Sequence, residues 1–136
     1  MGLDASLHII YGYKLEDMPI EDKMNELNES GKLSDKEHDK LYEDLTNTTE
    51  DGLTMICDYM CGNYEYLGIQ LFYKYVGYGA NAHYELTLNK LKELCDDEKL
   101  DELIQKHLPF IVGDIYDVAG LMNGELPKIY FVKRVW

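Results

Sequence analysis

Apolar residues follow first a strand period and then a helical period along the opening third of the chain. Residues 5–13 are rich in β-formers and predict a buried strand. Pro19 near a helix start and Gly31 as a stop frame a first short helix. Ser34 and Glu37 have the spacing of a capping box, which predicts the start of a second helix. This segment therefore predicts one strand followed by a helix pair.

Residues 53–76 predict a β-hairpin. Leu53–Met60 and Tyr64–Val76 flank Gly62-Asn63, a dipeptide that suits a two-residue turn. In that register Tyr59 faces Tyr66. One face of the hairpin would then carry Met55, Cys57, Tyr59, Tyr66 and Phe72, and the other Ile56, Leu67, Ile69, Leu71 and Tyr73. Because both faces are largely apolar, the pattern predicts central strands that are covered on both sides.

The helical period returns at Glu85. Asp96 or Asp97 can cap a further helix, which Pro109 closes. The chain thus predicts a second helix pair before its last elements.

The last two elements are predicted as strands, over residues 110–118 and 128–136. Asn123-Gly124 marks a turn between them, and a tight turn would place Asp114 opposite Lys133. Ile111 and Ile115 also fit a helical stripe, so a helix over residues 110–122 stays open as an alternative.

This order of elements predicts a single α+β domain over residues 1–136. We expect a mainly antiparallel sheet of about five strands with two helix pairs packed on it. A chain of 136 residues is long enough to bury roughly two-thirds of its unfolded surface in one core.

The charge of the chain is strongly acidic and unevenly distributed. It has 26 acidic against 13 basic residues, a net charge of -13. Residues 14–51 hold thirteen acids and five lysines, and residues 85–106 hold seven acids and four lysines. A surface of that sign repels nucleic acid and anionic lipid and attracts basic protein grooves. We therefore expect a protein partner, with no direct binding to nucleic acid or membranes.

Acidic residues crowd the second predicted helix with its exit and the start of the fourth helix, and two tyrosines near a loop offer amphipathic contact area. The candidate partner-binding residues are Glu37, Asp39, Glu43, Asp44, Glu50 and Asp51 in the first group, Asp96, Asp97, Glu98 and Asp101 in the second, and Tyr78 and Tyr84 near the loop. Acids at helix starts also interact favourably with the helix dipole and aid solubility. Both interpretations stay open.

No motif for catalysis, metal binding or cofactor binding is present in the sequence. Gly77-Tyr78-Gly79 lacks the lysine and hydroxyl residue of a phosphate-binding loop. The four histidines have no partner at zinc spacing, which predicts ordinary hydrogen-bonded histidines. We therefore expect no catalytic residues, no metal and no cofactor.

The cysteines and the N-terminal segment bear on the compartment. Cys57, Cys61 and Cys95 are an odd number without a C-x-x-C pair, which is typical of free thiols in a reducing compartment. The first residues lack the basic and apolar regions of an export signal, and no segment is apolar enough to span a membrane. These features predict a cytoplasmic protein.

A small acidic chain that opens MGLDASLHIIYGY, with twelve tyrosines and no enzyme motif, resembles the small accessory proteins that bacteriophages encode. The resemblance rests on residues 1–13 and on composition, and it assigns no functional residues. It implies that the protein inhibits a host or anti-phage factor, as acidic anti-CRISPR and DNA-mimic proteins do.

The predicted function is that of a non-enzymatic inhibitor, whose carboxylates occupy a basic groove of a nucleic-acid-handling protein. Two alternatives stay open. An immunity or antitoxin protein would share the acidity but neutralise one toxin, and a small enzyme or nucleotide-binding module would have a tyrosine-lined pocket. The sequence is compatible with a homo-oligomer in each case.

Overall fold

The computed structural model describes residues 4–46, 52–58, 64–77, 85–118 and 125–135. Within them the chain forms an antiparallel sheet of four strands in the order β2-β3-β1-β4. The strands are β1 (Asp4–Glu16), β2 (Leu53–Asp58), β3 (Tyr64–Gly77) and β4 (Lys128–Val135). The predicted α+β class is confirmed, with four strands in place of about five.

Five helices connect the strands within the described residues. They are α1 (Pro19–Glu29), α2 (Asp35–Thr46), α3 (Leu88–Leu94), α4 (Asp97–His107) and α5 (Val112–Val118). The predicted capping box at α2 is confirmed, because the Glu37 N–H donates to Ser34 Oγ and the Ser34 N–H donates to Glu37 Oε1. Asp96 is the N-cap of α4, as predicted. No helix in the described part of the chain is long and apolar enough to cross a membrane.

The main core lies between the helices and one face of the sheet. Strand residues Ile9, Leu67 and Ile69 pack there against Met24 of α1 and Ile104 of α4, all nearly inaccessible to solvent. The opposite face has a smaller cluster of strand residues, formed by Ile10, Ile56 and Val132 with Tyr66 and Tyr130 beside it. The sheet therefore has apolar residues on both faces. The hairpin was predicted to supply central strands covered on both sides, but only β3 is central, and β2 is an edge strand.

The two long central strands approach each other unusually closely at a pair of glycines. Gly12 of β1 lies opposite Gly68 of β3. A Cβ atom at Gly12 would lie 2.0 Å from the carbonyl oxygen of Leu67, and one at Gly68 would lie 2.3 Å from that of Tyr11. Only residues without a side chain fit this approach, which explains two glycines in the middle of long strands.

Two sequence predictions about the sheet are wrong. Residues 112–118 form α5 rather than a strand, so the open helical alternative is the one observed. β4 pairs with β1, and Lys133 lies opposite Leu7 rather than Asp114. The predicted final hairpin therefore does not form, because Ile111 and Ile115 belong to a helical stripe that packs into the main core.

The register of the β2–β3 hairpin also differs from the prediction. Tyr66 lies opposite Ile56 rather than Tyr59, because five residues separate the two strands where two were expected. A shift by an odd number of residues exchanges the faces of one strand. Cys57 consequently shares the helix-facing side of the sheet with Leu67. Residues 59–63 lie outside the described residues.

Candidate functional site

The surface of α2 displays four of the predicted partner-binding carboxylates. Asp39, Glu43 and Asp44 are all exposed, and the side chain of Asp39 keeps 86% of its accessible area. Asp39 and Glu43 are four residues apart and lie on the same face of the helix. Tyr42 is 40% exposed beside them and adds an aromatic ring to the same surface. Glu37 is exposed as well, but its carboxylate also closes the capping box.

The predicted acids at the start of α4 have local structural contacts. Asp96 accepts hydrogen bonds from the N–H groups of Glu98 and Lys99. Asp101 accepts one from the side-chain amide of Gln105 at 2.8 Å. These carboxylates are partly explained by the stability of α4, whereas Glu98 is exposed and uses only its backbone in this cap.

Asp97 links α4 to the sheet. The hydroxyl of Tyr11 on β1 donates a hydrogen bond to the carboxylate of Asp97. Burial and this contact raise the pKa of Tyr11, and burial together with Asp97 and Asp101 raises the pKa of Tyr13 to about 12. Both phenols therefore stay neutral, and Asp97 has a packing role in addition to any role in binding.

A surface cavity of about 380 Å³ separates α2 from the end of α4. Its lining combines apolar and charged side chains, namely Leu33, Glu37, Lys40, Leu41, Asp44, Lys106, His107, Pro109 and Phe110. The part of α4 that faces α2 is thus its C-terminal end. Asp97 lies at the other end, about 14 Å away along the helix axis. The acids of α2 and those of α4 therefore do not meet across this cavity.

Four predicted residues, Glu50, Asp51, Tyr78 and Tyr84, lie outside the described residues. Most of the glycine- and tyrosine-rich segment 73–85 lies outside them too. Within the described part, the ring centroid of Tyr73 lies 5.1 Å from that of His8, and the two ring planes are tilted by 39°. That contact belongs to the packing of β1 against β3.

A buried polar chain joins β1 to β3. Ser6 Oγ lies 2.7 Å from His8 Nε2, and His8 Nδ1 lies 2.8 Å from Gln70 Oε1. Since the amide oxygen only accepts, Nδ1 carries the proton and Nε2 accepts from the serine hydroxyl. Burial lowers the pKa of His8, and the charge of Arg134 lowers it further against the opposing effect of the Gln70 bond.

The order of these groups is that of a serine nucleophile and its histidine base. However, Ser6 is 2% and His8 3% exposed, so a substrate carbonyl has no path to the hydroxyl. The chain of hydrogen bonds satisfies three buried polar side chains and fixes the pairing of the two strands. It agrees with the prediction of hydrogen-bonded histidines.

A second buried polar group lies at the start of α1. The backbone N–H groups of Ile20 and Glu21 donate to the two carboxylate oxygens of Glu65, at 2.8 and 2.9 Å. Met18 at the N-cap position has no side-chain cap, so Glu65 of β3 performs that task from outside the helix. Burial and the nearby carboxylates of Glu21 and Asp22 outweigh these bonds and raise the pKa of Glu65 to about 7.

Glu65 belongs to a cluster of potential metal ligands that was not predicted from the sequence. One ligand atom from each of Glu21, Cys57 and Glu65 lies within 4.8 Å of the other two. The three residues come from α1, β2 and β3, so no spacing along the chain reveals them. A usable signal was the position of Glu65 in line with Leu67 and Ile69, where an acid interrupts the apolar face of a strand.

Comparison with known proteins identifies no relative: no protein-family model, no curated protein and no solved structure matches this chain.

Proposed function

We propose that this protein is a non-enzymatic inhibitor that binds a basic groove of a nucleic-acid-handling protein through its acidic helix surface. The observation that supports this proposal is the exposed surface of α2, where Asp39 and Glu43 lie one turn apart beside Tyr42, and Asp44 is exposed at the neighbouring cavity. Carboxylates at this spacing offer a basic groove charges that substitute for phosphates, and a tyrosine supplies the anchoring contact area.

The described structure narrows the set of residues that we assign to binding. Asp96, Asp97 and Asp101 have contacts that stabilise α4, so their replacement changes folding as well as charge. Glu43 and Asp44 are exposed in the last turn of α2, where a change of charge has little effect on packing. The proposed contact surface is therefore α2, with Glu98 of α4 as a secondary contribution.

Net charge supports fast association in the same proposal. With -13 on 136 residues, the protein attracts a positively charged partner from a distance, and salt weakens that attraction. On this proposal the protein acts in the cytoplasm, and a phage origin would give it a host or anti-phage factor as its target.

Charge reversal on α2 tests the proposal. We expect Glu43→Lys to weaken partner binding by about tenfold, mainly through slower association, because it replaces an attractive charge with a repulsive one. Glu125→Lys is the matched control, since it makes the same change of net charge at an exposed position outside α2. Surface plasmon resonance with the captured partner measures both variants at low and raised salt. Equal loss of affinity in the two variants would show that only net charge matters and would contradict a specific α2 surface.

A further inference from the structure

Three side chains that can bind a metal ion, two carboxylates and one thiol, lie close together. They belong to Glu21, Cys57 and Glu65. Their ligand atoms lie within 4.8 Å of one another. Cys57 and Glu65 are buried, and Glu21 is partly exposed. The cluster therefore sits at the edge of the core, with Glu21 on the side that solvent can reach.

A bound cation would balance the negative charge of the two carboxylates in this cluster. Glu65 is completely inaccessible to solvent, and a carboxylate oxygen of Glu21 lies within 4.8 Å of a carboxylate oxygen of Glu65. The first N–H groups of α1 supply only a fraction of a positive charge, roughly half an elementary charge. Burying a carboxylate beside another one is costly unless a proton or a cation neutralises it, and a bound cation can serve both carboxylates at once.

The ligand types favour zinc over harder cations. Calcium and magnesium take oxygen ligands, whereas zinc accepts a thiolate together with carboxylates. Tetrahedral zinc, with bonds of about 2.0–2.3 Å, holds its ligand atoms roughly 3.5 Å apart, so ligand atoms at the 4.8 Å limit would approach each other by about 1.3 Å. The two backbone N–H groups already hold the Glu65 carboxylate in place, which is how outer contacts orient a metal ligand.

We propose that Glu21, Cys57 and Glu65 form a binding site for zinc or a chemically similar divalent transition-metal ion. Binding would replace the thiol proton of Cys57, which passes to solvent. Three protein ligands leave a fourth position for water. None of the three ligands belongs to the proposed partner-binding surface, so the two proposals stand independently.

Cobalt titration of the metal-free protein tests the site, because a cobalt–thiolate bond gives a charge-transfer band in the near ultraviolet. We expect one cobalt ion per chain, the band, and its loss when zinc is added. Cys57→Ser should abolish the band and weaken zinc binding by at least about tenfold. Cys95→Ser and Cys61→Ser are the matched controls, and both should bind like the natural chain.

Two further variants keep the result interpretable. Glu65→Gln also removes part of the α1 cap, so Glu21→Gln serves as the carboxylate variant if Glu65→Gln does not fold. Absence of the band and of zinc-induced thermal stabilisation in the natural chain would overturn the proposal. A band that persists in Cys57→Ser, or that disappears in Cys61→Ser or Cys95→Ser, would place the metal elsewhere and would overturn it too.

Discussion

Replacement of Gly12 by alanine should destabilise the protein more than an added methyl group suggests. The new Cβ would lie 2.0 Å from the Leu67 oxygen and 2.6 Å from the Gly68 Cα. Both are backbone atoms of the partner strand, so no side-chain rotation relieves the clash, and β1 and β3 must separate by about 1 Å or more. Overpacking of this kind costs about 1–3 kcal/mol, and we expect about 3 kcal/mol because a strand pair must move.

Urea denaturation followed by circular dichroism measures this loss, and thermal denaturation should show a melting temperature lower by about 10 °C. Gly113→Ala is the matched control, because nothing lies within 4 Å of its Cβ and the residue is in α5. Helix propensity predicts a gain of about 0.5 kcal/mol there. A Gly12→Ala variant as stable as the natural chain would refute the close approach of the two strands.

Two further predictions concern β1. Burial and the charge of Arg134 hold the pKa of His8 in the folded protein below 6.5. The neutral form of His8 therefore stabilises the fold above pH 6.5, and this contribution to the free energy of unfolding is lost as pH falls through 6.5 toward the folded pKa. His8→Asn should therefore flatten the pH dependence of the free energy of unfolding between about pH 7.5 and pH 5.5, and an unchanged slope would contradict the burial of His8. Tyr11→Phe should cost about 1 kcal/mol through the lost bond to Asp97. In a double-mutant cycle with Asp97→Asn the two costs should not add, and full additivity would show that the pair does not interact.

Local signals in the sequence predicted the first four helices well, whereas α5 was predicted as a strand. The capping box of Ser34 and Glu37 and the cap at Asp96 act within four residues, so their geometry follows from spacing alone. The class of the fold followed from the order of the elements. Neither the spacing of capping residues nor the order of elements depends on contacts between segments that are distant in the sequence.

Features that depend on distant contacts were missed or wrong. The register of β2 against β3 depends on the length of the connection, and an odd shift moved Cys57 to the helix-facing side. Residues 112–118 suit a strand by composition, but Ile115 packs as part of a helix in the main core. The Glu65 cap and its neighbours join three elements, which only the tertiary structure brings together.

The candidate carboxylates differ in how much they contribute to the stability of the fold. Several of the candidate carboxylates stabilise helix starts or contact the sheet, as Asp96 and Asp97 do. The carboxylates of α2 are exposed to solvent. Those of Glu43 and Asp44 make no such contact with other described residues. Part of the acidity of this chain is therefore explained by the stability of its helices, and the α2 group, with Glu98 of α4, carries the proposed binding function.

The most direct test of that function is capture of a partner from bacterial lysate on the tagged protein, at about 50 mM and about 500 mM salt, followed by competition with DNA. The proposal predicts a basic, nucleic-acid-binding protein that is retained at low salt, released at high salt, displaced from its DNA by this protein, and lost when Glu43 and Asp44 are changed to lysine. Absence of a specific partner, or a partner whose binding withstands both high salt and this charge reversal, would contradict it.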